Sequence, residues 1–309
     1  MSPAHPPVRL QPLTRARVAD LGEAGARWQA GLPATLDDLA ARWDLAWGRP
    51  VPGGSASYVV RARNRAGAER VVKVVLPDPT LADEARVLAA ADGHGYVLLH
   101  DRAPEHSALL LESLGDPLDR LPADPEHKLR VALGVLAEAW QLPAGAATGE
   151  ADPAPRLRAG VVERDRRLGR PTDPRVLRTA LDCADEVAGW AGPRVVAHGD
   201  PHPANVLRVR EPRPGAPGGW VLVDPDGVLA DPAYDVGVLL RDWCSHLRGP
   251  DAHRRLRHWC DLAAEATGTD ADRVWAWAFL ERVSTGLYVS DFGATRVGRP
   301  FLDSARALL

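Results

Sequence analysis

Lysine is almost missing from this 309-residue chain: only Lys73 and Lys128 occur, against 36 arginines. A phosphate-binding P-loop needs a lysine directly before serine or threonine, but Lys73 precedes Val74 and Lys128 precedes Leu129, so Walker-type NTPases are excluded. Cysteine is equally sparse. Cys183, Cys244 and Cys260 are too few for a disulfide framework and no two have the CxxC spacing, which fits a reducing cytoplasm. There is no excess of basic charge, 38 Lys and Arg facing 41 Asp and Glu, which argues against a dedicated nucleic-acid binder. The opening MSPAHPPVRLQPL has no basic stretch or apolar block of a signal peptide, and no apolar run approaches the ~18 residues of a membrane span. A cytoplasmic protein that engages no membrane is expected. None of the nine serines lies in a GxSxG frame and no HExxH helix occurs, which removes two hydrolase classes.

What is present is an ordinary globular balance, 45% apolar and 26% charged, enough to build a core. Apolar residues at helical spacing predict two N-terminal helices, the second starting near Thr35, Asp37 and Asp38. Three β-like runs follow (45–54, 56–64 and 70–76), the last two forming a hairpin around Gly67. A helix over 81–93 and strands over 96–103 and 107–114 complete a small antiparallel sheet with one helix against it. From Pro122 onward helix dominates, with runs at 126–140, 175–190, 236–247, 253–266 and 271–283. Two strand-loop units interrupt it at 194–210 and 218–227, joined by REPRPGAPGG, read as a flexible surface turn.

The densest polar cluster, His198-Gly199-Asp200-Pro201-His202-Pro203-Ala204-Asn205, follows the apolar strand RVV. Polar residues at the end of a buried strand tend to line a site. Some twenty residues on, a second apolar strand ends in Asp224, so two strand ends could gather Asp200, Asn205 and Asp224 around one point. A carboxylate with an amide oxygen is a hard donor set that suits magnesium. In the first half Lys73 sits between valines and calls for a partner, with Glu84 on the next helix. Each feature alone has a plain structural reading. Together they have the logic of phosphoryl transfer, with metal and lysine holding a nucleoside triphosphate while an aspartate takes the acceptor's hydroxyl proton. A His198, Asp200, His202 metal cluster of a hydrolase is the other reading of that loop, but it leaves Lys73 and Glu84 unexplained.

With these residues in view the chain resembles the aminoglycoside phosphotransferase family, and within it the streptomycin 6-kinase and hydroxyurea-resistance branch. HGDPHPANVL is similar to that family's catalytic loop, VDPDG to its second metal motif, and DPAYDVGVLLRDW to the segment after it. The N-terminal helices ending in Arg42-Trp43 and the GGSAS loop resemble the branch. The resemblance implies an α+β, two-lobed protein-kinase-like fold: a small antiparallel nucleotide-binding lobe over 1–114 and a mostly helical catalytic and substrate lobe over 115–309. It implies Asp200 as base, Asn205 and Asp224 as magnesium ligands, and Lys73, paired with Glu84, on the α/β-phosphates of ATP. Gly53, Gly54 and Ser55 would belong to the nucleotide-covering loop, and Glu112 and Leu114 to the hinge whose backbone reads adenine.

The activity implied is ATP- and magnesium-dependent phosphorylation of a hydroxyl on a small molecule, an aminoglycoside such as streptomycin, by a monomer or homodimer. Two residues depart from the branch: Pro201 replaces the usual leucine, and Asp226 stands where lysine is common. A cationic acceptor calls for an acidic cleft, for which Asp226, Asp231, Asp242 and Glu281 are candidates by position. Asp231 and Asp235 have a second reading as structural ties between the loop and the next helix. Asp291-Phe292-Gly293 spells a kinase metal motif but lies about ninety residues past Asp200 with no APE after it, a coincidence. Trp259, Trp275 and Trp277 read as cleft wall or, at helical spacing, as core. A regulatory nucleotide-binding module or pseudokinase without transfer is the alternative of another class.

Overall fold

The computed structural model describes residues 5–51, 56–78, 83–150 and 152–309. Two helices come first, α1 (Pro12–Asp20) and α2 (Gly22–Trp43), followed by the strands β1 (Leu45–Pro50), β2 (Ser57–Asn64) and β3 (Glu69–Val75). Helix α3 (Glu84–Ala91) leads to β4 (Leu99–Ala103) and β5 (Ala108–Glu112). These five strands form one antiparallel sheet in the order β1-β2-β3-β5-β4, with Lys73 opposite Val59 on one side and Leu109 on the other. Side chains alternate across a strand, so each sheet face has its own cover. Val60, Val72, Val74 and Leu110 bury against Leu32, Leu36 and Leu39 of α2. On the opposite face Leu109 and Leu111 join Val87 and Leu88 of α3 in a core that runs on into the rest of the molecule.

The second N-terminal helix differs from its expected start. It runs unbroken through Pro33 from Gly22 and not from Thr35. A proline removes one helical hydrogen bond and normally ends or bends the helix. Here the buried leucine stripe at 32, 36 and 39 holds both sides of the proline onto one sheet face.

The second half comprises α4 (Pro125–Ala139), β6 (Gly149–Glu150), α5 (Pro153–Arg167), α6 (Pro174–Val187), β7 (Val195–Ala197), β8 (Val206–Arg208), β9 (Trp220–Leu222), β10 (Val228–Ala230) and α7 (Pro232–Arg241). It ends with α8 (Ala252–Thr267), α9 (Ala271–Asp291) and α10 (Thr295–Ala307). Four Asp-Pro pairs start helices α4 to α7, with Asp124, Asp152, Asp173 and Asp231 each accepting a first-turn N–H. The aspartate satisfies an orphan donor while proline occupies a position whose N–H would have no partner. Helix α9 is the axis of this half, with Trp277, Phe279, Leu280 and Val283 fully buried under its neighbours. Trp259 and Trp277 are core and Trp275 stacks on Phe279, so the packing reading of the tryptophans holds.

Two small sheets, β6-β10-β7 and the β8–β9 hairpin, carry the loop 198–205 and the turn at Asp224. The hairpin also holds the segment after β5: Gly115 N donates to Arg208 O, and Arg208 N to Asp116 O. The small antiparallel sheet and the mostly helical half are the α+β division that the sequence predicts. No helix among the described residues is long and apolar enough to cross a membrane.

Candidate active site

The loop from His198 to Asn205 leaves the end of β7 and is fastened from below by α7. Asp235, fully buried, accepts the His198 and Gly199 backbone N–H groups at 2.7 and 2.8 Å and the Trp140 indole N–H at 2.9 Å. Burial pushes its carboxyl up to about 6 although all three donors favour the charge. His198 is completely buried, its Nδ1 accepting the Asp200 N–H and its Nε2 donating to Val223 O at 2.8 Å. Burial brings it down to about 4, so it is neutral, and with both nitrogens engaged it is no metal ligand. That removes the hydrolase cluster. Gly199 has φ +91°, and a Cβ there would lie 2.6 Å from the Asp226 carboxylate, so the loop has no room for another residue.

Asp200 stands at the tip with its side chain 42% exposed. Arg241, at the end of α7, binds its Oδ1, and His202 Nε2 lies 3.5 Å from Oδ2. Arg241 is itself held by the buried Glu281 at 3.1 Å. Burial opposes charge on Asp200, but the Arg241 guanidinium outweighs it and holds the carboxyl below the usual carboxylate range. An ionised aspartate with a fixed oxygen is suited to orienting a hydroxyl.

Asn205 donates from Nδ2 to the Asp200 carbonyl at 2.9 Å, which leaves Oδ1 as its ligand-capable atom. The Asn205 carbonyl accepts the Val223 N–H, bringing the β9 end alongside the loop. Asp224 follows in the left-handed region, φ +59°, a conformation aspartate tolerates better than most residues. Lys73 Nζ crosses from β3 to bond Asp224 Oδ1 at 2.7 Å and Glu84 Oε2 at 2.5 Å. Burial disfavours the ammonium, yet Asp224 and Glu84 raise Lys73 above its ordinary value, and the lysine in turn holds Asp224 low against its own burial. Burial keeps the Glu84 carboxyl raised, and its Oε1 has no partner among the described residues. The Asp226 carboxylate lies against Gly199 of the 198–205 loop and is raised to about 6 by burial and then by Asp200.

The hard oxygens of Asn205 and Asp224 fit magnesium, which takes one or two protein ligands and completes its shell with water and phosphate. Among the described residues no group of three or more His, Cys, Asp or Glu side chains forms a closed metal cage.

Lys73, Glu84, Asp200, Asn205, Asp224 and Asp226 therefore meet in one cleft. Asp231 does not join them: its Oδ2 accepts Arg273 at 2.7 Å and the Trp277 indole at 3.0 Å, and its Oδ1 caps Ala233. With its lone pairs engaged in the core it leaves the acceptor set. Glu281 reaches the site only through Arg241. Leu114 is buried, and the Glu112 carboxylate is turned onto Arg213, so only its main chain could serve a nucleotide. Gly53, Gly54 and Ser55 lie outside the described residues. Asp291 pairs with Arg167 at the end of α9 and Phe292 is 45% exposed, in keeping with a coincidental motif.

Sequence reading missed Arg241 and Arg213. The signal for the first was an arginine closing the apolar run VGVLL, where burial demands a carboxylate. The second lies in the segment read as a flexible surface turn, which instead docks by Arg213 onto Gly93, Tyr96 and Glu112.

Residues 42–293 match the aminoglycoside/hydroxyurea antibiotic resistance kinase family. The chain belongs to that family. It is 30% identical to streptomycin 6-kinase of Streptomyces glaucescens over 303 residues, 96% of each chain. It is likewise 30% identical to hydroxyurea phosphotransferase of Kitasatospora aureofaciens over 293 residues, 93% of this chain and 82% of that one. Its fold matches spectinomycin phosphotransferase, solved with ADP and spectinomycin, with a TM-score of 0.57, 12% identity and coverage of 89% of this chain and 93% of that one. The fold is thus the two-lobed kinase-like one, and the protein is an enzyme, a small-molecule kinase with an alcohol group as acceptor.

Proposed function

We propose that this enzyme transfers the γ-phosphoryl group of ATP, with magnesium, to a hydroxyl of an aminoglycoside such as streptomycin. The observation that carries the reading is the meeting of Lys73, Asp224, Asn205 and Asp200 in one cleft. Magnesium bound by Asn205 and Asp224 would neutralise phosphate charge. Lys73, kept cationic between two carboxylates, contacts the α/β-phosphates, and Glu84 fixes its direction. Asp200 accepts the hydroxyl hydrogen of the acceptor and aims its oxygen at phosphorus, with Arg241 holding the other carboxylate oxygen, Oδ1. The transition state of such transfers is loose, so positioning and charge neutralisation supply most of the catalysis. Asp226 adds negative charge beside Asp200, which favours a cationic acceptor. The hinge reading assigns adenine to the main chain of Glu112 and Leu114, with Gly53, Gly54 and Ser55 over the phosphates. We also propose a lobe boundary between residues 114 and 115, which the pairing of Gly115 with β8 supports.

The test is transfer from labelled ATP to a panel of aminoglycosides, hydroxyurea, sugars and amino alcohols, for wild type and Asp200→Asn. Transfer to an aminoglycoside is expected, with the variant slower by about 10² to 10⁴. Wild-type turnover in Asp200→Asn would remove Asp200 from the chemistry, and ATP binding without transfer to any acceptor would favour a nucleotide-binding module.

A further inference from the structure

The loop between β8 and β9 reaches back across the molecule and grips the end of β5 through one side chain. Arg213 is mostly buried, at 15% exposure. Its Nε and Nη2 take both oxygens of Glu112 at 2.8 to 3.2 Å, Nη1 donates to Gly93 O at 2.6 Å, and Nη2 donates to Tyr96 O at 2.9 Å. A planar guanidinium holding a carboxylate by two parallel bonds fixes direction as well as distance. Glu112 Oε2 also accepts the Leu98 N–H at 3.2 Å, and the Glu112 N–H donates to Leu98 O at 2.9 Å. The main chain at the exit of β5 is therefore pinned to the 93–98 turn and to the β8–β9 loop at once.

The backbone of the loop reinforces the grip. Gly95 N donates to Gly215 O at 2.7 Å, and a Cβ on Gly215, whose φ is +71°, would come 2.7 Å from the His94 Cα. Across the segment after β5, Gly115 and Asp116 are hydrogen-bonded to Arg208 on the same hairpin. One hairpin thus holds the β5 exit from both ends, and Arg213 is the only charged side chain it sends to Glu112 among the described residues.

We infer that Arg213 is a positioning residue for nucleotide recognition: by clamping the Glu112 carboxylate it sets the orientation in which residues 112–114 present their main chain to the base. The inference rests on the hinge reading given above. Arg213 bonds Glu112, Gly93, Tyr96 and Pro214 and none of the residues assigned to the phosphates or the acceptor, so its removal should act on nucleotide affinity and leave the transfer step alone. Lysine can replace the charge but not the two-pronged geometry, so Arg213→Lys should restore only part of the effect.

The experiment measures ADP binding by calorimetry for wild type, Arg213→Ala, Arg213→Lys and Glu112→Gln, with thermal melts and amide hydrogen exchange over residues 98–116. We expect Arg213→Ala to weaken ADP about tenfold, Arg213→Lys to fall between it and wild type, and exchange to quicken in residues 112–116 without a matching change in α9. With a working acceptor assay, KM for ATP should rise while kcat stays within about twofold. A folded Arg213→Ala protein that binds ADP as wild type does would overturn the clamp. So would weakening accompanied by uniformly faster exchange, because that is general loosening. Absence of ADP binding in the wild type would instead overturn the nucleotide-site reading on which the clamp depends.

Discussion

His198 illustrates how one side chain can support a loop of proposed catalytic residues through its hydrogen bonds alone. Its two ring nitrogens bridge the Asp200 N–H and the Val223 carbonyl, so it joins the loop to the strand that ends in Asp224. This bridge needs the neutral ring, and burial lowers the histidine from an ordinary 6.5 to about 4. Between those values the unfolded chain binds a proton that the native state refuses. Stability from this group is therefore complete above about pH 6.5, is lost as pH falls toward 4, and the loss amounts to about 3 kcal/mol. His198→Gln, which cannot titrate, should start less stable at pH 7 and approach wild type by about that amount at pH 4. Urea unfolding at both pH values checks it, and a gap that stays constant would show that His198 does not drive the pH dependence. Asp235, whose raised carboxyl titrates in the opposite sense, is common to both proteins and cancels in the comparison.

At the scale of elements, the sheet separates stability from chemistry by its two faces. Leu36 is fully buried between α2 and the outer face, while Lys73 points from the opposite face toward the cleft. Leu36→Ala should cost about 2 to 5 kcal/mol through lost burial and the cavity left behind, with kcat unchanged at temperatures where the protein stays folded. Denaturant unfolding and a rate assay on one sample check both halves. A fall in kcat with stability intact would mean that the outer layer shapes the cleft. The elements that escaped sequence reading share a physical reason. Helix α5 buries only Pro153, Ala154, Val161 and Asp165, so no apolar stripe shows at helical spacing. Helix α10 buries Gly298, Ser304 and Ala305 and contains Pro300, small residues and a breaker that conceal a helix. By contrast the apolar spacing of α4 and α6 and the alternation in β2 and β3 carry local signals that needed no knowledge of the fold.

For the whole molecule, what could be read from the sequence tracks separation along the chain. Asp200 and Asn205 lie on one loop and Asp224 at the next strand end, so their meeting follows from local pattern. Arg241 joins Asp200 from 41 residues away and Arg213 joins Glu112 from 101, and only the folded packing reveals such pairs. The longest tie of the site is Lys73 to Asp224, 151 residues apart, linking the N-terminal sheet to the catalytic half. A ligand that occupies this junction must stabilise both halves together, because it binds the native state and not the unfolded chain. At about a hundred times its dissociation constant, magnesium with ADP should add ~2.7 kcal/mol, several degrees in melting temperature. Chelation of magnesium should remove most of that gain. Asp224→Asn, which keeps the shape but loses a hard anionic ligand, should abolish the difference between ADP with and without magnesium while keeping the metal-free stabilisation. Melting curves of both proteins with ADP, in magnesium and in EDTA, give the four values required. Equal stabilisation of the wild type with and without magnesium would exclude Asp224 as a metal ligand and leave its bond to Lys73 as a purely structural link between the sheet and the helical half.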